Sequence, residues 1–189
     1  MNRGYHEIKE HGKREFPFNI YPCSIPVDFS HVALHWHEEM EIIAVKKGKG
    51  RITVDTVSYP VEEGDILAVF PGQLHAISCG NGERMEYENI IFRLSMLMGD
   101  NGDGCTVHFL KPLQEGQAKN PVLIQRNQPD HEVFGKVIQE LDRFSEIRGN
   151  GYQLAVKGQL FLFLYYAYGR GILFAEKKPG QICQSPILS

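Results

Sequence analysis

The sequence predicts a mainly β fold, a small antiparallel sandwich or barrel, followed by two α-helices packed on it. Between His31 and Phe92, short apolar or alternating runs are separated by turn residues, a pattern typical of about six strands. From Asp130 onward, apolar residues recur at helical spacing instead. With 189 residues, of which 42% are hydrophobic and 23% charged, the chain suits one globular domain with an appendage.

The first part of the chain predicts an arm and then the barrel. Residues 1–30 mix charged residues with three prolines, which indicates an N-terminal arm and a short irregular strand at residues 16–21. Residues 31–110 contain the barrel strands. Within them, the glycines of residues 46–50 (KKGKG) favour a hairpin turn, and Gly64 lies where a positive φ is needed.

The second part of the chain predicts a connector and two helices. Residues 111–129 form a loop-rich connector, preceded by one edge strand at residues 106–110. Residues 130–170 carry the two helices; Asp130 can cap the first helix and Gly149 can end it.

The second helix is apolar almost all the way round in its last half, residues 161–168. One face must pack on the sheet, and the other is covered either by the first helix or by a second copy of the chain. Residues 171–189 have no periodic pattern and are expected to be a linker. The sequence stops at Ser189 as though a longer protein continued beyond it.

Composition and charge exclude several classes of protein. A net charge of −3 and a pI near 6.2 argue against a basic nucleic-acid-binding surface. The polar N-terminus is unlike a signal peptide, and no run reaches the roughly 20 apolar residues of a membrane span, so we expect a cytoplasmic protein. The four cysteines form no CxxC pair and are expected to be free thiols: Cys23, Cys79, Cys105 and Cys183.

Residues 35–41, HWHEEME, are the first candidate site. On a regular strand, alternate side chains share a face, so His35, His37, Glu39 and Glu41 could all point one way. This pattern is either a set of metal ligands or the polar side of a strand. Trp36 and Met40 would face away from it.

A second stretch, Pro71–Gly72–Gln73–Leu74–His75, supplies one more imidazole. Two imidazoles and a carboxylate from the first stretch, with a third imidazole from a neighbouring strand, could bind a divalent transition metal ion inside a small barrel. The predicted ligands are His35, His37, Glu41 and His75.

These two stretches resemble the signature motifs of the cupin superfamily, whose fold is a double-stranded β-helix, a small jelly-roll barrel. The first motif is matched at the three ligand positions and at Gly48, and the second at Gly64, Gly72 and His75. The departures, none of them at a ligand position, are Phe29, Phe70 and Cys79.

The wider arrangement of residues 16–170 resembles the N-terminal effector domain of AraC-type transcriptional regulators. That resemblance implies that the barrel binds a small-molecule effector and that the 130–170 helices form a homodimer. It also implies that DNA is bound only by a C-terminal helix-turn-helix domain, which is absent from this sequence, and that no membrane is involved. The 171–189 linker would lead to that domain.

Several alternatives stay open at this point. His35, His37, Glu41 and His75 either bind an ion, with Zn, Ni, Fe and Mn not distinguishable, or line a wet effector pocket as polar groups. The chain could instead be a small metal-dependent cupin enzyme of the oxygenase or isomerase type, or a purely structural dimerisation domain. Against the enzyme, no second carboxylate or lysine is obviously placed as a general base, and only Glu39, Glu86 and Glu88 stay open for that role.

Overall fold

The computed structural model describes residues 5–118 and 120–171, so all of the predicted linker except Gly171 lies outside the described residues. No described helix is both long and apolar enough to span a membrane. The strands are β1 (Phe18–Ile25), β2 (Val32–His35), β3 (Met40–Val54), β4 (Val57–Glu62), β5 (Ile66–Val69), β6 (His75–Ser78), β7 (Met85–Phe92) and β8 (Val122–Ile124). The helices are α1 (Lys111–Gln114), α2 (His131–Ile147) and α3 (Tyr152–Gly169), with short turns of helix at Leu94–Leu97 and Thr106–Leu110.

The strands form two antiparallel layers that share β3, which confirms the mainly β, jelly-roll prediction. The first layer has the order β1-β7-β3-β5-β8, and the second is β4-β3-β6-β2. The first half of β3 pairs with β7 and β5, whereas its second half pairs with β4 and β6. One long strand therefore connects the two layers.

The predicted hairpin turn at residues 46–50 is wrong, because β3 continues without reversal through these residues. The pairing of β3 with β7 shifts register between Val45 and Lys47, and Gly48 has a φ of 79°. A Cβ atom at Gly48 would lie 2.1 Å from the carbonyl oxygen of Arg84, so only glycine fits this bulge. The glycines bend the strand from one layer to the other, and the reversal comes later, at residues 55–56.

Side chains of β3 alternate between two separate cores. Ile43 and Val45 point between the two layers, where they pack with Ile52, Leu67 and Ile77 inside the barrel. Their neighbours point outward to a second core, which lies under the helices: Met40, Ile42 and Ala44. By the same alternation Glu41, which precedes an outward residue, faces the barrel interior.

Helices α2 and α3 pack on the outer face of the first layer, as predicted. Phe134 of α2 lies edge-on to Phe163 of α3, with 5.2 Å between ring centroids, and both are fully buried. The first helix does not cover the second completely, because Leu162 and Tyr165 remain 42% and 61% exposed.

Two details of the first long helix differ from prediction. Asp130 precedes α2 but makes no capping hydrogen bond, because its carboxylate accepts one from Arg170 at 2.6 Å. The left-handed residue after the helix is Arg148, with a φ of 44°, and not Gly149. The helix thus ends one residue earlier than the glycine signal indicated.

The edge strand predicted at Thr106–Leu110 is wrong, because this segment is a turn of π-helix that continues into α1. The Asp103 carboxylate accepts hydrogen bonds from the Thr106 amide and hydroxyl, both at 2.7 Å, and so caps the turn. The actual edge strand is β8, which lies within the predicted connector and pairs with β5. Three of the predicted free thiols are described and unpaired, whereas Cys183 lies outside the described residues: Cys23, Cys79 and Cys105.

Candidate functional site

The four predicted ligand residues converge at one end of the barrel interior. His35 is the last residue of β2 and His75 the first of β6, and the two are direct partners in the ladder between these strands. Partners across a ladder share a face, so their rings approach to 4.1 Å between centroids. One ligand atom from each of the four residues lies within 4.8 Å of all the others.

The HWHEEME stretch does not form a single strand, although its side chains still meet. The chain bends at Glu38–Glu39, so that His35 belongs to β2, His37 to the connection and Glu41 to β3. His37, Glu41 and His75 are each at most 3% exposed. Gly72, with a φ of 81°, donates its amide to the carbonyl of His37 at 2.9 Å and places the turn before His75.

Backbone carbonyls orient all three imidazole rings in the same way. The Nδ1 atoms of His35, His37 and His75 lie 2.9, 3.1 and 3.0 Å from the carbonyl oxygens of Ala33, Glu39 and Gln73. A carbonyl oxygen can only accept a hydrogen bond, so each Nδ1 carries the proton. The Nε2 atoms are then left as bases, which is the tautomer that metal-binding histidines use.

Two of these Nε2 atoms face the same carboxylate oxygen. Oε2 of Glu41 lies 3.0 Å from Nε2 of His37 and 3.0 Å from Nε2 of His75. If both rings are neutral, lone pairs confront the carboxylate, so the contact is favourable only with a cation between them, either a proton or a metal ion.

The pKa values of Glu41, His37 and His35 are shifted by burial and by the charges of their neighbours in the cluster. Burial alone would raise the pKa of Glu41, but the imidazoles of His75 and His37 outweigh it and hold that pKa well below its usual range. Burial would likewise lower the pKa of His37, yet its hydrogen bond to Glu41 and the charge of that carboxylate raise it. The pKa of His35 is lowered, first by burial and then by His75. The cluster therefore keeps its carboxylate ionised.

The donor set fits a divalent transition metal ion. Three imidazole nitrogens and one carboxylate suit Zn, Ni, Fe or Mn. Oε1 of Glu41 is buried and has no hydrogen-bond partner within the part of the chain that the structure describes. A buried carboxylate oxygen without a partner is costly, and an ion would satisfy it. Within residues 5–118 and 120–171, no other group of three or more such side chains is arranged to hold an ion.

Sequence reasoning placed Glu39 beside the ligands but missed its partner Arg93 and the contacts of the N-terminal arm. Glu39 is buried, and its Oε1 accepts a hydrogen bond from Nε of Arg93 at 2.8 Å. From the N-terminal arm, Oε2 of Glu7 reaches to 3.5 Å from Nε2 of His35. His11 is also buried, with its Nδ1 3.2 Å from the hydroxyl of Tyr21. No signal in the sequence indicated these contacts.

Comparisons with known proteins identify relatives among transcriptional regulators. The family model for the AraC-like ligand binding domain matches residues 26–164, well over half of the chain. An HTH-type transcriptional regulator of Bacillus subtilis (strain 168), YdeC, is 27% identical over 88 residues. That match covers 46% of this chain but only 30% of YdeC, so it spans less than a third of the regulator. All four cluster residues lie inside the family match, whereas Glu7 precedes it.

Solved structures give weaker similarities. A cupin 2 conserved barrel domain protein from Salinispora arenicola is 23% identical, with a TM-score of 0.38 over 42% of this chain and 66% of that one. ToxT from Vibrio cholerae is 14% identical, with a TM-score of 0.49 over 88% of this chain and 61% of that one. Assignment to a family therefore depends on the sequence match.

Proposed function

The chain belongs to the AraC-like ligand-binding domain family, and on that basis we propose that it is the effector-sensing and dimerisation domain of a transcriptional regulator. The barrel binds a small molecule, and the helices join two copies. DNA is contacted by a helix-turn-helix domain outside this chain, as the name of the YdeC relative suggests. Because such a regulator acts on DNA, we also propose a cytoplasmic location.

The observation that carries this proposal is the polar cluster inside an otherwise apolar barrel. A purely structural domain gains nothing from this cluster, because desolvating polar groups such as the two buried imidazoles and the carboxylate costs free energy that apolar side chains would not. His35, His37, Glu41 and His75 therefore form the proposed effector pocket. When an ion is bound by these four residues, it supplies a positive centre that attracts oxygen or nitrogen atoms of the effector.

Effector binding should stabilise the domain against unfolding. We expect some members of a panel of sugars, carboxylates, amino acids and nucleosides to raise the melting temperature in a saturable way. At a hundred times its dissociation constant, a ligand contributes about 2.7 kcal/mol. The His37→Ala variant should lose this response, whereas His31→Ala, which removes an exposed imidazole, should keep it. Equal responses in both variants would place the effector elsewhere.

The proposed dimer surface is an exposed apolar stripe along α3, which we call the α3 stripe and define as Leu154, Phe161, Leu162 and Tyr165. These side chains are between 39% and 77% exposed. A Cβ atom at Gly158, which lies on the same helix face, would meet no atom within 4 Å, so a partner could approach closely there. Contiguous apolar surface of this kind is typical of interaction sites.

If the α3 stripe is the dimer interface, a single charge introduced there should weaken the dimer. Tyr165→Asp places a carboxylate in the proposed interface and should weaken the dimer about 30-fold or more. The control is Val57→Asp, which puts the same charge at a half-exposed apolar position on β4 and should leave the dimer unchanged. Sedimentation at several concentrations measures both. A Tyr165→Asp protein that dimerises as strongly as the control would contradict this interface.

The cupin metal ligands also favour a second candidate, a small metal-dependent enzyme, but its general base lacks support. Glu86 and Glu88 alternate with the inward residues Met85 and Tyr87 and so face outward from the barrel. Their carboxylates pair with Lys47 at 4.0 Å and Lys46 at 2.6 Å. The third candidate, Glu39, is bound to Arg93. The regulatory function is therefore better supported.

A further inference from the structure

We propose that Glu7 is an additional ligand for the divalent ion, so that ion binding holds the N-terminal arm, residues 5–12, over the barrel mouth. This inference depends on the proposed ion site at His35, His37, Glu41 and His75. It adds one residue that lies outside the span matched by the family model. It also predicts that ion binding changes how firmly the N-terminal arm is held.

Backbone contacts place Glu7 beside the cluster. The amide of Glu7 donates to the carbonyl of Trp36 at 2.9 Å, and the amide of Trp36 donates to the carbonyl of Tyr5 at 2.9 Å. The ring of His6 stacks on the indole of Trp36 with 4.2 Å between centroids. Trp36 directly follows His35 in the chain, so this short bridge sets the carboxylate of Glu7 next to one predicted ligand, His35.

The contact between Glu7 and His35 is longer and more exposed than the Glu41 contacts, but it too becomes favourable when a cation lies between the two groups. Oε2 of Glu7 lies 3.5 Å from Nε2 of His35, and Nδ1 of that ring already donates to the carbonyl of Ala33. In the neutral ring, Nε2 therefore presents a lone pair to the carboxylate. A metal ion bound by Nε2 would turn this unfavourable approach into an attractive one.

Charge balance supports the same conclusion. A divalent ion with three neutral imidazoles and Glu41 keeps one positive charge, which a second carboxylate neutralises. Glu39 also lies near the cluster, 3.7 Å from Nδ1 of His37, but Arg93 already neutralises it. The Glu7 side chain is 31% exposed, so water solvates its carboxylate when no ion is bound. The ion-free protein therefore does not bear the cost of a fully buried second carboxylate.

Part of the arm is exposed to solvent, so a ligand bond at Glu7 can strengthen its attachment to the barrel. Ile8 is 85% exposed and Tyr5 is 44% exposed, and neither contributes to a core. Beyond the bridge to Trp36, the described arm is held at Tyr21, by Lys9 above the ring and by the hydrogen bond of His11. Because linkage is reciprocal, an ion that favours the bound arm is itself bound more tightly when the arm is present.

The test uses Co²⁺ as the probe, because its visible absorption reports how many ligands surround it. Titrations of the full chain and of Glu7→Gln measure affinity and spectrum together. We expect Glu7→Gln to bind Co²⁺ at least about tenfold more weakly and with a changed absorption spectrum. Glu10→Gln, which neutralises an exposed carboxylate of the same arm, should match the unchanged protein in both.

Cleavage by trypsin after Lys9, followed by mass spectrometry, provides a second readout. Saturating Co²⁺ should slow this cleavage at least about fivefold in the unchanged protein and in Glu10→Gln, but not in Glu7→Gln. If Glu7→Gln binds Co²⁺ and protects Lys9 like the unchanged protein, the role of Glu7 is wrong while the ion site stands. If the unchanged protein binds no Co²⁺, or His75→Ala binds it equally well, the ion site itself fails.

Discussion

The His75→Ala variant is expected to bind divalent ions at least about 100-fold more weakly than the unchanged protein. Loss of residues that merely orient metal ligands costs 10- to 100-fold, so loss of a ligand should cost at least as much. Removal of this imidazole also deprives Oε2 of Glu41 of one of its two partners, each at 3.0 Å. The remaining carboxylate would then be buried with less compensation, which lowers stability as well as affinity.

Isothermal titration with Ni²⁺ and Co²⁺, after removal of bound metal by a chelator, measures this loss. The matched control is His31→Ala, because His31 is an exposed imidazole just before β2 whose Nδ1 lies 3.0 Å from the hydroxyl of Ser30. The control should bind one ion per chain with the affinity of the unchanged protein. If the two variants bind equally, these four side chains are only the polar lining of a pocket.

The Phe134→Ala variant is expected to lose about 3–5 kcal/mol of unfolding free energy. Phe134 is fully buried in the core between the helices and the first strand layer, and its ring packs edge-on against Phe163 and Tyr166. Truncation therefore removes apolar contacts and leaves a cavity that rigid neighbours on a sheet cannot fill. In a chain of this size, such a loss lowers the melting temperature by roughly 10 °C.

Urea unfolding followed by circular dichroism checks this expectation, and Phe161→Ala provides the control. Phe161 is a phenylalanine on α3 but is 39% exposed, so we expect its truncation to cost only about 1 kcal/mol. A similar small loss in Phe134→Ala would mean that the helices do not pack on the sheet as described. Weaker dimerisation together with only this small loss of stability in Phe161→Ala would agree with its place in the α3 stripe.

Much of the fold follows from periodicity in the sequence, and the errors occur where local signals conflict. The strand-rich region between His31 and Phe92 and both long helices are predicted because burial on one face imposes a period of two or of 3.6. In KKGKG, the glycines form a bulge inside one strand. The same glycine pattern is typical of a hairpin turn, and only the partners of β3 distinguish the two. At Thr106–Leu110 the sequence predicts an edge strand, but the carboxylate of Asp103 caps a helical turn there.

In the site as well, contacts between residues close in sequence could be predicted, whereas contacts between distant residues could not. The spacing of His35, His37 and Glu41 predicted the cluster, because these residues are close in sequence and His75 follows a recognisable turn. Arg93 could not be linked to Glu39 in advance, since they are 54 positions apart and pair only through the fold. Glu7 belongs to an arm without periodicity, so nothing in the sequence indicated its approach to His35.

The most direct test of the central claim, that the barrel is a sensing pocket built around an ion, is a crystal structure of the chain grown with Co²⁺ and recorded at the cobalt absorption edge. We predict a single anomalous peak per chain inside the barrel, contacted by Nε2 of His35, His37 and His75 and by the carboxylate of Glu41. Density at surface residues alone, with Glu41 still hydrogen-bonded to protonated His37 and His75, would contradict the claim.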